Sequence, residues 1–321
     1  MSNLSRLDET QRNRLNESLR RNLGVKILGA LNDPNVIEIM LNPDNTVWFD
    51  YLGRGMEYSG YTMPSSQAQL VLQDVASMLG QTVTKDNPVV EGELPLDGSR
   101  FEGLIPPIVA APSFAIRKRA SRVFTLDDYV DRNILTPEQA IFIRQSIRDK
   151  RNILVVGGTA SGKTTLLNAF LDETAKVAPS ERMVIIEDTV ELQCPIKNIV
   201  QMRTSETMDM TKLLRVTMRM RPDRICVGEM RGKEALALLK AWNSGHSGGF
   251  ATIHADSTTD ALLKLDEYVQ EAGVPSKMGL ISRAVHCVVF IEKSEGGRQV
   301  KELARVVGYD RESNLPILEQ V

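Results

Sequence analysis

Two regimes of hydrophobic spacing divide the chain. In the first, apolar residues come in short alternating runs: Val36 to Leu41 and Thr46 to Asp50 read as β-strands, with Asn42-Pro43-Asp44-Asn45 as a turn between them. Gln67 to Leu79 repeats at helical spacing. Short strands are expected again near Phe101–Leu104 and Ser113–Arg117, separated by Pro and Gly. Ahead of these, Leu4, Leu7, Leu15, Leu19 and Leu23 fall on one face of a charged helix with Arg12, Arg14, Arg20 and Arg21 around them. Such a helix either packs on its own domain or docks on a membrane surface or partner. Residues 1–117 thus read as an N-terminal α+β domain.

The second regime begins after Arg151. Apolar runs at Ile153–Val156, Met183–Ile186, Ile225–Val227 and Phe250–Ile253 alternate with helical stretches, the pattern of a parallel sheet wrapped by helices. Val285–Ile291 and Val300–Val307, joined at Glu295-Gly296-Gly297, predict a late hairpin. A helix is expected to start at Thr136-Pro137-Glu138, since Thr suits an N-cap and Pro the first helical position. The expected organisation is a domain over 1–117, a polar, basic linker over 118–133 able to hinge, and a second α/β domain over 134–321.

The second domain carries the chemistry. Gly157-Gly158-Thr159-Ala160-Ser161-Gly162-Lys163-Thr164 fits G-x-x-x-x-G-K-[ST] without a mismatch, after a strand and before the helix-forming run that starts at Thr165. Glycines let successive N–H groups turn inward to phosphate oxygens, and the helix N-terminus adds its positive end. Lys163 is placed for the β- and γ-phosphates, and the Thr164 hydroxyl for Mg²⁺. ATP and Mg²⁺ are the expected ligands.

Hydrolysis also needs carboxylates. Glu187-Asp188 ends one apolar strand and Glu229 ends another, where parallel sheets place their ligands. Glu187 and Glu229 are candidates for water activation and for supporting Mg²⁺, directly or through water, and sequence does not assign the two roles. His254 closes the strand Phe250–Ile253 and suits a γ-phosphate sensor, against the plainer reading of a structural hydrogen-bonder. Arg215, Arg219, Arg221, Arg224 and Arg231 surround the Glu229 strand, as a solvated face or as subunit contacts that bring a guanidinium to a neighbour's nucleotide.

Composition narrows the classes. With 39 Lys and Arg against 41 Asp and Glu the net charge is −2, which argues against dedicated duplex-DNA binding. Aromatics at 5% argue against a single-strand track of the helicase kind. No run approaches the about 20 apolar residues that span a bilayer. Cys194, Cys226 and Cys287 have no metal spacing and read as buried thiols of a reducing compartment.

The order of these boxes resembles the Walker A, Asp box, Walker B and His box of the type II/type IV secretion ATPase superfamily. They are residues 157–164, Glu187 to Leu192, Arg224 to Arg231 with its glutamate-ended strand, and Thr252-Ile253-His254-Ala255. Asp97-Gly98-Ser99-Arg100-Phe101 and Phe114-Ala115-Ile116-Arg117 resemble its N-terminal arginine motifs. Within the superfamily the chain looks most like the conjugal-transfer ATPases of the TrbB type. The resemblance implies a RecA-like P-loop NTPase domain with a smaller α+β N-terminal domain. It implies a homo-hexameric ring at the cytoplasmic face of the inner membrane, acting with secretion-channel proteins in pilus assembly or DNA transfer. Arg100 and Arg117 match arginines that reach the nucleotide phosphates, with Arg119 close enough to compete with Arg117. A pilus-retraction motor, a single-strand-dependent RecA-like motor and a non-hydrolysing switch are the rival readings.

Overall fold

The computed structural model describes residues 9–52, 54–119, 123–205, 207–294 and 297–321, in two compact units, 1–121 and 122–321. Leu4 and Leu7 of the expected first helix, and Glu295 and Gly296 of the expected hairpin turn, lie outside the described residues.

In the first unit, α1 (Glu9–Asn32) is followed by β1 (Val36–Leu41), β2 (Thr46–Tyr51) and β3 (Gly55–Thr62). Then come α2 (Ser65–Leu79), β4 (Val89–Glu93), β5 (Arg100–Leu104) and β6 (Ser113–Arg117). The strands form one antiparallel sheet in the order β3-β2-β1-β6-β5-β4. Alternation decides its faces. Ile39, Leu41, Val47, Phe101, Phe114 and Ile116 are buried against Leu19, Leu23 and Ile27 of α1 and Val71, Leu72 and Val75 of α2. Burying each such side chain contributes about 1.5–3 kcal/mol. The apolar stripe of α1 is therefore spent on its own domain, with Arg12, Arg14, Arg20 and Arg21 left exposed. α1 breaks at Gly24 (φ 74, ψ 165), and Gln67 Nε2 donates to the Asn22 carbonyl at 2.7 Å beside the kink.

The second unit starts with α3 (Leu126–Asp131), α4 (Pro137–Arg148), β7 (Ile153–Val156), α5 (Lys163–Val177), β8 (Met183–Glu187) and β9 (Ile199–Arg203). It continues with α6 (Met210–Thr217), β10 (Arg224–Val227), α7 (Glu234–Trp242), β11 (Phe250–Ile253) and α8 (Thr258–Gln270). It closes with α9 (Met278–Ala284), β12 (Cys287–Ser294), β13 (Gly297–Tyr309) and β14 (Pro316–Gln320). The sheet order is β14-β13-β12-β7-β11-β10-β8-β9; the run from β12 to β9 is parallel, and β13 and β14 are antiparallel additions.

Both faces of the parallel run are covered, so its inner strands read as mostly apolar runs rather than alternations. Leu154, Val156, Ile225 and Val227 face the helices α6 to α9, while Ile153, Val155, Cys226 and Phe250 face α3, α4 and α5. Thr136 caps α4 in a reciprocal box with Gln139, with Pro137 at its start. The span expected as a linker differs from that expectation. α3 sits in it, capped by Thr125 and Asp128, with Leu126 and Tyr129 buried in the larger unit's core.

Candidate nucleotide-hydrolysis site

The phosphate loop leaves β7 and enters α5. Gly162 is the N-cap of α5 at φ 103, a conformation L side chains rarely adopt, and Ala160 also has positive φ at 57°. A Cβ on Gly157 would run into the Ile291 carbonyl and come within 2.5 Å of Ser161 Oγ. The glycines are thus required by the path of the loop. Lys163 is 7% exposed and folds its Nζ back onto the carbonyls of Gly157 and Gly158, each at 2.8 Å. Thr164 and Thr165 continue the first turn of α5, half-buried beside it, while Gly158, Thr159 and Ala160 form the rim of the loop.

Because β7, β8, β10 and β11 are parallel, the residues after each strand collect on one edge of the sheet. His254, after β11, lies with Nδ1 3.2 Å from Lys163 Nζ. Its Nε2 lies 2.7 Å from Glu229 Oε1, after β10, without hydrogen-bond geometry. That Oε1 is buried and has no hydrogen-bond partner among the described residues; the same holds for Ser161 Oγ. Glu229 Oε2 accepts from Arg231 Nη2 at 2.5 Å and Nε at 3.1 Å. Arg231 in turn sits 4.0 Å from Asp188, which accepts from Thr204 Oγ1. Burial, then the Lys163 ammonium, hold His254 below the ordinary histidine value despite Glu229.

Glu187 does not join this group. It is 2% exposed; Oε1 accepts from the Glu191 and Leu192 amides at 2.9 and 2.8 Å, and Oε2 from Gln201 Nε2 at 3.0 Å. Burial raises its pKa in spite of these bonds. The carboxylate folds the 188–192 loop, and its neighbour Asp188 is the one that faces Arg231. The reason is local: β8 ends at Glu187, and the turn after it needs an acceptor for two amides that no strand pairs.

Of the five arginines around β10, only Arg231 comes to the site. Arg224 is fully buried at the opposite end of β10, bonded to Glu181 Oε2 at 2.5 Å and to the carbonyls of Gly248 and Ile147. Arg215 is exposed on α6, and Arg219 and Arg221 lie just beyond that helix, also exposed. His246 belongs to the loop before β11, away from the phosphate loop. There Asn152 Oδ1 accepts from the Gly248 and Gly249 amides at 2.7 and 3.0 Å. Of the thiols, Cys226 and Cys287 are buried and Cys194 is half-buried.

In the first unit, Arg100 and Arg117 are cross-strand partners on β5 and β6, in one row with Glu38 and Asp50 on one side and Glu93 on the other. Burial raises the Glu38 carboxyl, opposed by Arg117 and Arg100. Arg119 meets the Glu93 end of this row, 3.3 Å from that carboxylate, and packs over Gly98. Asp97 accepts from the Ser99 amide at 2.9 Å, so the Asp97–Phe101 motif is the turn that sets Arg100 on β5.

One residue missed by sequence reasoning is Arg298, on β13, whose Nη2 donates to the Ala160 carbonyl at 3.4 Å. Nothing local to residue 298 signals a contact 138 positions away.

A family model described as "Type II/IV secretion system protein" matches residues 64–294. A probable conjugal transfer protein TrbB of Sinorhizobium fredii is 49% identical over 293 residues, covering 91% of this chain and 90% of the relative. A conjugal transfer protein TrbB of Rhizobium radiobacter is 47% identical, covering 92% and 91%. Among solved structures, the VirB11 ATPase of the Brucella suis type IV secretion system, in complex with sulphate, aligns with a TM-score of 0.50 at 26% identity, over 92% of this chain and 97% of that one. The pilus retraction motor PilT with bound ADP shares the fold at a TM-score of 0.63 and 19% identity, over 90% and 84%.

Proposed function

The chain belongs to the family of type II/IV secretion system proteins and is an ATP-hydrolysing secretion motor of the conjugal-transfer kind; we propose that it works as a Mg²⁺-dependent homo-hexameric ring, powering conjugative transfer from the cytoplasmic face of the inner membrane. The observation that carries the reading is the convergence of Lys163, His254 and Glu229 at the mouth of the phosphate loop. No described helix is long and apolar enough to cross a membrane, so membrane attachment in this reading is peripheral.

The donor set fits Mg²⁺: a hydroxyl, Thr164, and a carboxylate whose buried Oε1 lacks a hydrogen bond, all oxygen, as a hard cation requires. Thr164 would hold it directly, and Glu229 would support it through a bound water, so that Oε1 stays open. When bound, Mg²⁺ neutralises charge on the β- and γ-phosphates. Lys163 exchanges the Gly157 and Gly158 carbonyls for phosphate oxygens. Glu229, fixed through Oε2 by Arg231, keeps Oε1 to orient the attacking water and take its proton. His254, neutral, donates a ring N–H to a γ-phosphate oxygen while staying in reach of Lys163. Family resemblance adds Arg100 and Arg117 as phosphate contacts, and secretion-channel proteins as partners.

The test is ATP turnover by purified protein with and without Mg²⁺, beside Lys163→Ala and Glu229→Gln, together with the native mass in a non-hydrolysable analogue. Turnover lost in both variants and a six-fold mass support the reading. Turnover retained by Lys163→Ala would overturn the site, and a monomer at high concentration the ring.

A further inference from the structure

The hydrolytic groups all lie on one flank of the phosphate loop, because β11 and β10 stand on that side of β7. On the other flank stands β12, paired to β13, and Ser294 pairs with Gly297 at the tip. This hairpin rises past the end of β7 and lies against the loop: the Ile291 carbonyl blocks a Cβ at Gly157, and Arg298 Cδ lies 3.1 Å from where a Cβ on Gly162 would be. The Val300 amide donates to the Ile134 carbonyl at 2.8 Å, which fixes the strand two residues beyond Arg298.

The charges here are arranged at a cost. Arg298 is half-buried, and among the described residues its guanidinium has no carboxylate in ion-pair range; its hydrogen bond is the long one to Ala160. Directly opposite on β12 is Lys293, a like-charge cross-strand pair, which destabilises a hairpin. Arg298 stands at the N-terminus of α5, whose dipole repels cations. Lys163 is already engaged with the loop carbonyls. An anion placed between the loop and the hairpin would offset all of these repulsions at once.

The topology says which part of an anion. A nucleotide with its terminal phosphate toward His254 and Glu229 runs, along the loop, toward β12. We propose that Arg298 is a nucleotide-binding residue that holds the α-phosphate and ribose end of ATP and ADP alike, from the flank opposite the hydrolytic groups. The proposal rests on the reading of the loop as an ATP site. Arg298 then supplies binding that is equal in ground state and transition state, which raises affinity without changing the chemical step.

The experiment compares wild type, Arg298→Ala, Arg298→Lys and Lys163→Ala by titration with ADP and with ATPγS, and by steady-state ATP hydrolysis. Loss of one charge-assisted hydrogen bond predicts affinity weaker by about ten-fold or more for both nucleotides in Arg298→Ala. KM should rise in step while kcat at saturating ATP stays within about two-fold. Arg298→Lys should recover part of the affinity. Unchanged affinity in Arg298→Ala would overturn the proposal. So would a fall of kcat in step with affinity, which marks a brace for the loop instead. Wild-type binding that is lost in Lys163→Ala but kept in Arg298→Ala sinks this proposal and leaves the ATP site standing. A wild type without measurable affinity sinks both.

Discussion

Lys163 and His254, 91 positions apart, meet with Nζ 3.2 Å from Nδ1 at the edge where β7 and β11 end side by side. The ammonium penalises a second positive charge, and burial penalises it further, so the imidazole stays neutral below the pH at which an exposed histidine would protonate. The unfolded chain has no such constraint. Below its ordinary value of 6.5 it takes up a proton that the folded site resists. Stability contributed by this group is therefore present above that pH and lost as pH falls through it. Melting temperature against pH for wild type and His254→Gln should show the variant gaining on wild type as pH drops from 7.5 toward 5.5. A constant gap across that range would count against a depressed histidine.

Arg231 fixes one oxygen of Glu229 and leaves the other buried, without a hydrogen-bond partner among the described residues. Glu229→Gln should keep ATP affinity and lower kcat by about 100- to 10,000-fold, the range general-base catalysis spans. Arg231→Ala should lower kcat less, by about ten-fold, through a carboxylate that is present but unaimed. The double variant should be no worse than Glu229→Gln alone, since both act through one group. Additive losses measured in single-turnover hydrolysis would separate the two residues.

The Glu187 carboxylate anchors the loop after β8. Glu187→Ala strands the amides of Glu191 and Leu192, at about 1–3 kcal/mol for each left unpaired. Urea unfolding should show the lower midpoint with unchanged slope. Glu187→Gln keeps an acceptor for the two amides and should lose less. A Glu187→Ala protein as stable as wild type, but inactive, would return this residue to direct catalysis.

Arg224 is locked at the far end of β10 by Glu181, which also holds Lys150 at 2.7 Å. Removing one member of a buried pair costs about 3–5 kcal/mol. Arg224→Met should lower stability on that scale in denaturant titration, with KM for ATP near wild type at temperatures where the variant is folded. A change in KM without destabilisation would place Arg224 in nucleotide contact.

The strands legible in the sequence are those whose burial is uniform or alternates cleanly. The tetrad Ile153–Val156, the alternation of Val36–Leu41 and Ser113–Arg117, and the Thr136-Pro137 start of α4 all appear where expected. Strands β3, β9 and β14 carry no such signal. They are half-exposed edge elements in which Gly, Ser, Gln and Glu interrupt the apolar pattern. The phosphate loop is legible because its residues are contiguous and its glycines answer to the backbone. Which of the adjacent Glu187 and Asp188 faces the site is decided by the closure of the loop after β8, and the placing of Arg298 by the pairing of β12 with β13. Neither leaves a local pattern.

The antiparallel additions also define where this protein can be handled. β14 pairs with the stretch Ala304–Tyr309, the end of β13 remote from Arg298. Ala304 lies six positions along extended chain from Arg298, about 20 Å at the usual rise per residue. Because β14 runs back along β13 toward Arg298, a fluorophore at its start, near Pro316, would stand farther from the nucleotide than one at Gln320.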